Sequence, residues 1–285
     1  MRVRDFVFAC VALALALAHA AGAEPQWLTL PPTPTLPKPA ASGYAAVNGI
    51  KIWYASFGKG APVILLHGGL GHSGNWGKQV AALTAAGHRA IVIDSRGHAR
   101  STRDERTYSY ELMAGDARAV MDHLGLDRAA IVGWSDGACV ALVLASQAPE
   151  RVAGVFFFAC NMDPSGVKEL DETNPLLGRC FGRHAKDYAA LSPTPDGFQS
   201  LVTAVTAMQR SQPDYSAADL GAIRAPVTVA LGENDEFIKR DHAEYLARTI
   251  PGAAFILLPG VSHFAPLQRP ALFNDAVLSF LDRLG

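Results

Sequence analysis

Residues 133–137 read GWSDG, and their place in the chain strongly constrains the local fold. The apolar run 129–132 directly precedes them, and a stretch of helical character, 138–147, directly follows. A strand that turns this sharply into a helix holds its central residue, Ser135, in a strained backbone conformation. Glycines two residues to either side remove the Cβ atoms that would prevent such close packing. The pattern predicts a strand–turn–helix unit with an exposed serine hydroxyl at a helix N-terminus.

Apolar runs and helical patterns alternate along most of the chain. Strands are expected at 47–57 (a pair split by Asn48-Gly49), 62–66, 89–93, 130–132, 152–158, 226–231 and 254–258. Helices are expected at 78–86, 110–124, 138–147 and 241–249. Runs that are apolar on both faces are typical of parallel strands covered by helices. The alternation predicts an α/β fold with a doubly wound, mostly parallel sheet of about eight strands and a small helical cap.

The sequence also predicts a domain organisation. The segment 162–222 breaks the alternation, is polar and rich in Pro and Gly, and is expected to hold one or two short helices as a cap or lid. The core is expected at 41–161 and 223–285. Six prolines between residues 25 and 39 predict that 24–40 is an extended, Pro-rich tether that builds no core.

Residues 1–23 resemble a secretory signal peptide. Arg2 and Arg4 precede an apolar run at 6–17, and small-x-small sites end at Ala20 and Ala23. The alternative is an uncleaved membrane anchor, although the run is short for a membrane span. We expect a secreted or periplasmic protein that begins near Glu24 and has no stable membrane partner after signal removal.

Charge and cysteine content narrow the function classes. The formal net charge is −1, which gives no electrostatic reason to expect a nucleic-acid partner. Beyond the signal, three cysteines remain, and an odd number cannot form a complete set of internal disulfides. We expect Cys139 to be a small buried residue, and Cys160 and Cys180 either to pair or to stay reduced. Their spacing suggests no metal site, and no motif indicates a cofactor.

Three residues suggest nucleophilic catalysis. A serine hydroxyl needs a base within hydrogen-bond reach, and the base needs an orienting carboxylate. Asp235 follows the strand expected to end at Leu231, and His263 follows the strand expected to end at Leu258. Because sites of α/β sheets lie at the carboxyl ends of strands, Ser135, Asp235 and His263 are predicted to converge.

Other residues compete for two of these roles. Glu233 or Glu236 could replace Asp235 as the acid. His67, His98 and His242 compete with His263, but the first two are interpreted as structural and the third as a solvated helix residue.

The chain also offers donors for an oxyanion. The run 67–71 reads HGGLG after an expected strand, and glycine N–H groups can approach a ligand closely. Gly69 is the preferred donor, Leu70 the second choice, and the N–H of Asp136 the partner donor; the alternative is a flexible turn. The Asp136 side chain could favour the helix N-terminus or point into the pocket toward a cationic substrate group.

These motifs together resemble those of the α/β-hydrolase superfamily over residues 44–285. The matching features are HGG at 67–69, DSRGHARS at 94–101, the turn around Ser135, and GEND at 232–235 followed by His263. Ala99 stands where the family usually has glycine. The WSDG form of the turn is similar to that of valacyclovir-hydrolase-like esterases. The resemblance implies a Ser-His-Asp triad and a pocket that includes Leu70, Trp134 and Phe264.

We therefore expect a serine hydrolase that cleaves a carboxylic ester, lactone or related acyl bond, with a small acyl substrate and water as its partners. One alternative is a ligand-binding or receptor-like protein on a hydrolase scaffold, since fold alone does not fix function. Another is an amide or carbon–carbon bond hydrolase that uses the same residues.

Overall fold

The computed structural model of the chain describes residues 24–171 and 173–285. The predicted signal peptide lies outside these residues. Eight strands form one sheet: β1 (Ala41–Val47), β2 (Ile50–Phe57), β3 (Pro62–Leu66), β4 (Arg89–Ile93), β5 (Ala129–Trp134), β6 (Val152–Phe158), β7 (Val227–Gly232) and β8 (Ala254–Leu258).

The α-helices, in chain order, are α1 (Gly77–Ala85), α2 (Tyr110–His123), α3 (Asp136–Gln147), α4 (Pro175–Leu191), α5 (Phe198–Ser211), α6 (Ala217–Gly221), α7 (Arg240–Thr249), α8 (Ala265–Gln268) and α9 (Pro270–Asp282). Short 3-10 turns occupy Gln26–Leu28, Ser73–Trp76, Pro149–Arg151, Pro164–Gly166 and Pro195–Gly197.

The strand order across the sheet is β1-β2-β4-β3-β5-β6-β7-β8. The β1–β2 and β2–β4 pairs are antiparallel, and every pair from β4–β3 through β7–β8 is parallel. Asn48 and Gly49 both have positive φ, which gives the hairpin between β1 and β2 its tight turn. The predicted mostly parallel sheet of about eight strands is confirmed.

The parallel strands are nearly continuous apolar runs because helices cover both faces of the sheet. In β6, for example, Phe156, Phe157 and Phe158 are at most 1% exposed. Phe273 of α9 packs edge-on against Phe156 and Phe158. Helix α9 is not among the expected helices, although Pro270 at its first position and the apolar spacing through Phe280 and Leu281 are helical signals.

The segment 162–222 is more helical than the sequence analysis expected. It contains two long helices, α4 with 17 residues and α5 with 14, as well as the short α6. Asn174 caps the start of α4 by accepting a hydrogen bond from the Leu176 N–H, and Pro175 occupies the first helical position. The helical pattern of α4 and α5 is weak in the sequence, because their apolar faces are narrow and the segment is rich in polar residues and prolines.

The Pro-rich segment differs from the predicted tether. It is extended, but Leu30 and Leu36 pack against the hydrophobic core. Its backbone also passes so close to α1 that a Cβ on Gly77 would lie 2.7 Å from the Thr35 carbonyl oxygen. Proline-rich chain has few internal hydrogen bonds, so its polar groups are free to bond to neighbouring elements.

The cysteine pairing also differs from both expectations. Cys139 on α3 and Cys160 after β6 form a disulfide, whereas Cys180 is a buried free thiol. The pairing follows from the topology, since β5 leads into α3 and lies beside β6. Within residues 24–171 and 173–285, no helix has the length and apolar character to cross a membrane.

Candidate active site

Ser135 lies where β5 turns into α3, with φ 54° and ψ −127°. This is a strained conformation for a residue other than glycine, and the surrounding packing must hold it. A Cβ on Gly137 would overlap the carbonyl oxygens of Leu66 and His67, and a Cβ on Gly133 would overlap the backbone of α3. The two glycines thus allow β5, α3 and the loop after β3 to meet at Ser135.

Asp235 and His263 come together at the ends of β7 and β8. The Asp235 Oδ2 atom lies 2.9 Å from the His263 Nδ1 atom. The other carboxylate oxygen accepts hydrogen bonds from the N–H groups of Phe237, at 2.9 Å, and Ile238, at 2.8 Å. These bonds fix the carboxylate, which in turn fixes the orientation of the imidazole.

The charge state of His263 follows from this pairing. Burial lowers the pKa of the imidazole, but the Asp235 carboxylate and its hydrogen bond raise it, with smaller contributions from Glu236 and Asp136. The net effect is a pKa above the ordinary 6.5. A base with such a pKa can accept a proton near neutral pH and hold it while bond cleavage proceeds.

Ser135 and His263 line the same cavity. No hydrogen bond joins the Ser135 hydroxyl to the imidazole in the described part of the chain, and such contacts commonly tighten only when substrate is bound. Leu70, Trp134 and Phe264, which were predicted to bind substrate, line this cavity as well.

The competing carboxylates have other partners. Glu233 accepts a hydrogen bond from the Gly260 N–H at 2.8 Å, and Glu236 accepts one from the His263 N–H at 3.1 Å. Burial raises the pKa of the Glu236 carboxyl. Both side chains brace the histidine loop, while Asp235 alone of the three bonds to the imidazole ring.

The competing histidines are buried in other environments. His67 accepts a hydrogen bond from the Ser95 N–H, and burial lowers its pKa to about 4. The ring of His98 packs against that of His67 at a tilt of 56°, and burial lowers the pKa of His98 to about 3. The interpretation of His242 as solvated is wrong: it is 6% exposed and accepts a hydrogen bond from the Met162 N–H at 3.1 Å.

Backbone donors face the cavity from two elements. Gly69 and Leu70 line it from the loop after β3, and Asp136 lines it from the start of α3. The N–H groups of Gly69 and Asp136 bond to no acceptor within residues 24–171 and 173–285. Leu70 adopts φ 61°, which turns the loop sharply beside Ser135. The arrangement provides two N–H donors beside Ser135 that could bind the negative oxygen formed when a substrate carbonyl is attacked.

The Asp136 side chain points into the cavity and already has partners. Its Oδ1 accepts a hydrogen bond from the Tyr110 hydroxyl at 2.8 Å, and the Gln209 side-chain amide lies 3.0 Å from both carboxylate oxygens. Burial raises the pKa of Asp136, and burial together with Asp136 raises the pKa of Tyr110 well above 10. Sequence reasoning missed Tyr110 and Gln209, because only the fold brings α2 and α5 to this point.

The cavity has a volume of about 660 Å³ and lies between the sheet edge and the segment 162–222. Its walls are mainly apolar. The helices of that segment contribute Leu177, Phe181, His184, Val202 and Val205 among others. In the described parts of the chain, no group of three or more His, Cys, Asp or Glu side chains has metal-binding geometry.

Residues 61–197 match the family model described as the alpha/beta hydrolase fold. The chain belongs to the α/β-hydrolase superfamily. The relatives it resembles are named hydrolases, and the chain is an enzyme of that family.

Three relatives illustrate the range of the family. The chain is 28% identical to a 2-hydroxy-6-oxo-6-phenylhexa-2,4-dienoate hydrolase from Burkholderia cepacia, over 82% of this chain and 92% of the relative. It is 28% identical to Est816, described as an N-acyl homoserine lactone degrading enzyme, with a TM-score of 0.63 over 84% of this chain and all of that one. A meta-cleavage product hydrolase from Pseudomonas fluorescens shares the fold at 22% identity, with a TM-score of 0.73 over 87% and 99% of the two chains.

Proposed function

We propose that this protein is a serine hydrolase that cleaves a carboxylic ester or lactone with a bulky apolar acyl group. The observation that carries the proposal is the hydrogen bond between Asp235 and His263 at the wall of a cavity that also exposes Ser135. The strained conformation of Ser135 supports it, because strain of this kind persists where packing maintains it and clusters at active sites.

In the proposed reaction, His263 removes the proton of the Ser135 hydroxyl as the oxygen attacks the substrate carbonyl. Asp235 stabilises the imidazolium that forms, and it keeps the Nδ1 atom as the donor. The N–H groups of Asp136 and Gly69 bind the negative oxygen of the tetrahedral intermediate. His263 then gives its proton to the leaving alcohol, and a water activated by His263 releases the acyl group from Ser135.

The cavity lining favours a neutral apolar acyl group over an anionic one. The Asp136 carboxylate lies in the cavity wall next to Ser135, so a substrate carboxylate there would meet a like charge. His184, also in the wall, has its pKa lowered to about 3 by burial and is neutral at pH 7. An unpaired substrate carboxylate would lose hydration without gaining a charged partner.

Carbon–carbon bond hydrolysis is the second candidate. It is favoured by the similarity to the dienoate hydrolase from Burkholderia cepacia over most of both chains. That relative's named substrate is anionic, which is the property that the lining around Asp136 disfavours. The two candidates therefore differ in the charge of the group that the cavity accepts.

The experiment that tests the proposal is acyl-enzyme trapping by mass spectrometry. Wild-type protein is mixed with a p-nitrophenyl ester of a bulky acid and quenched in acid within the first turnovers. We expect the acyl mass on the peptide that carries Ser135, and no such mass in Ser135→Ala. An acyl mass on another residue contradicts the mechanism, and faster turnover of a 2-hydroxy-6-oxodienoate than of any ester favours the second candidate.

A further inference from the structure

The N-terminal segment 24–36, here named the strap, contacts both the cap helix α4 and the loop that carries His263. Three residues of α4 spaced by four, Arg179, Arg183 and Asp187, lie along one side of the helix. Each of them bonds to the strap. A segment expected to be a tether therefore connects the helix that covers the cavity to a proposed catalytic loop.

The contacts with α4 follow the helix in register. The Arg179 guanidinium donates to the Glu24 carboxylate at 2.8 Å and to the Leu28 carbonyl. Arg183 donates to the Pro31 carbonyl at 2.6 Å. The Thr33 hydroxyl donates to the Asp187 carboxylate at 3.2 Å.

Asp187 joins the strap to the core as well. The same carboxylate oxygen that accepts from Thr33 lies 3.3 Å from Nε2 of His72. His72 follows the Gly-rich loop after β3, which supplies the proposed donor Gly69. The strap, helix α4 and the end of the loop that supplies Gly69 therefore meet at the Asp187 side chain.

Between its contacts with α4, the strap also bonds to the loop of His263 through Gln268. The Gln268 amide nitrogen contacts the carbonyl oxygens of Trp27, at 3.0 Å, and Thr29, at 2.9 Å. Its amide oxygen accepts from the N–H of Ser262, at 2.8 Å, the residue directly before His263. Gln268 is 5% exposed, so these bonds form away from competing water.

Another side of α4 forms a wall of the cavity, with Leu177, Phe181 and His184 at successive turns. A helix held by the strap on one side therefore shapes the pocket with another. We infer that Arg183, Asp187 and Thr33 are positioning residues: through the strap they hold α4 at a fixed distance from the His263 loop and so set the pocket for a bulky acyl group. The kinetic test of this inference rests on the proposed ester hydrolysis, whereas its structural test does not.

The test uses a double variant, here called the detached variant, that removes the strap bonds of Thr33 and Arg183 and leaves those of Arg179. Thr33→Val with Arg183→Met removes two donors at nearly constant volume. Thr33→Ser with Arg183→Lys keeps both donors and serves as the rescue variant. Thr203→Val with Arg224→Met is the matched control, because within the described residues these two side chains bond to the nearby carbonyls of Gln199 and Gly221 and not to the strap.

The first readout is the ratio of kcat/KM for a bulky ester, p-nitrophenyl phenylacetate, to kcat/KM for p-nitrophenyl acetate. We expect the detached variant to lower this ratio about fivefold or more, mainly through KM, with the small ester changed less than about twofold. The rescue and control variants should keep the wild-type ratio. An unchanged ratio in the detached variant, or an equal loss for both esters, overturns the inference.

The second readout is hydrogen exchange, and it does not need activity. In the detached variant we expect the amides of α4 to exchange about tenfold faster, while those of α5 and the sheet keep their protection. Unchanged exchange in α4 overturns the inference, as does a uniform increase across the protein. If the wild-type protein hydrolyses no ester, the proposed function fails, while this readout still decides whether the strap positions α4.

Discussion

Ser135 adopts an unfavourable backbone conformation that its neighbours maintain. Gly133 and Gly137 leave room for the chain to turn, and the carbonyl groups of Leu66 and His67 occupy the space next to Gly137. Residues of this kind can be predicted from sequence, because the requirement for a missing Cβ is local. The partners of Asp136 are not local, since Tyr110 and Gln209 reach it from helices that only the tertiary fold brings close.

We expect Gly137→Ala to destabilise the protein by about 1–3 kcal/mol or more, because the new methyl group would overlap backbone atoms that cannot rotate away. Chemical denaturation measures the change. The matched control is Gly182→Ala in α4, where a Cβ meets no atom within 4 Å. That change should stabilise by up to about 1 kcal/mol, since alanine is the better helix former. Equal stability of Gly137→Ala and wild type would refute the packing argument.

The pKa of His263 predicts a pH dependence of activity. The imidazole must be neutral to act as a base, and its pKa lies above 6.5 because burial, which lowers it, is outweighed by the combined effects of Asp235, Glu236 and Asp136. The acid limb of kcat/KM should therefore have its midpoint above pH 6.5 and rise toward alkaline pH. In Asp235→Asn the midpoint of this limb should move to lower pH, because the Asp235 charge no longer opposes the lowering of the His263 pKa by burial. A limb that stays in place in this variant would exclude His263 as the group that titrates.

At the scale of elements, sequence patterns and structure agree best where a pattern is long and periodic. The parallel strands from β3 to β8 lie within one or two residues of their expected bounds. Prolines and polar residues mask α4, whereas α9 carries helical signals that were not used, namely Pro270 and the apolar spacing through Phe280. The disulfide between Cys139 and Cys160 depends on β5 and β6 being neighbours, which the spacing of cysteines alone does not reveal.

The segment 162–222 is expected to determine substrate choice. Val202 on α5 lines the same cavity as Ser135 and His263, although it lies far from both along the chain. Val202→Phe should fill part of the apolar space and raise KM for a bulky ester about fivefold or more, with little effect on p-nitrophenyl acetate. Steady-state kinetics on both esters measure this. Thr203→Phe, at an exposed position of the same helix, is the control, and equal effects of the two substitutions would contradict the assignment of the cavity as acyl site.

At the scale of the whole molecule, the strap directly follows the predicted signal peptide in the chain. Glu24, the expected first residue after cleavage, already bonds to Arg179 of the cap helix. Cleavage before Glu24 would therefore leave the whole strap, with its bond to Arg179, on the mature protein. The predicted signal peptide itself rests on sequence alone, namely a basic start, a short apolar run and small-x-small sites.

We expect exported protein to begin near Glu24. N-terminal sequencing or intact mass of protein recovered from the periplasm or medium tests this expectation. Protein that retains Met1 and sediments with membranes would show that the predicted signal peptide is an anchor instead.

We propose that Ser135 is the nucleophile of a Ser-His-Asp hydrolase. The turnover number of Ser135→Ala on the best ester found for the wild type tests this, measured on protein whose melting temperature matches wild type. A kcat lower by about 10⁴-fold or more is the predicted result, because members of such a triad act as a unit and their loss leaves only binding and the oxyanion donors. A kcat within about tenfold of wild type would contradict the claim.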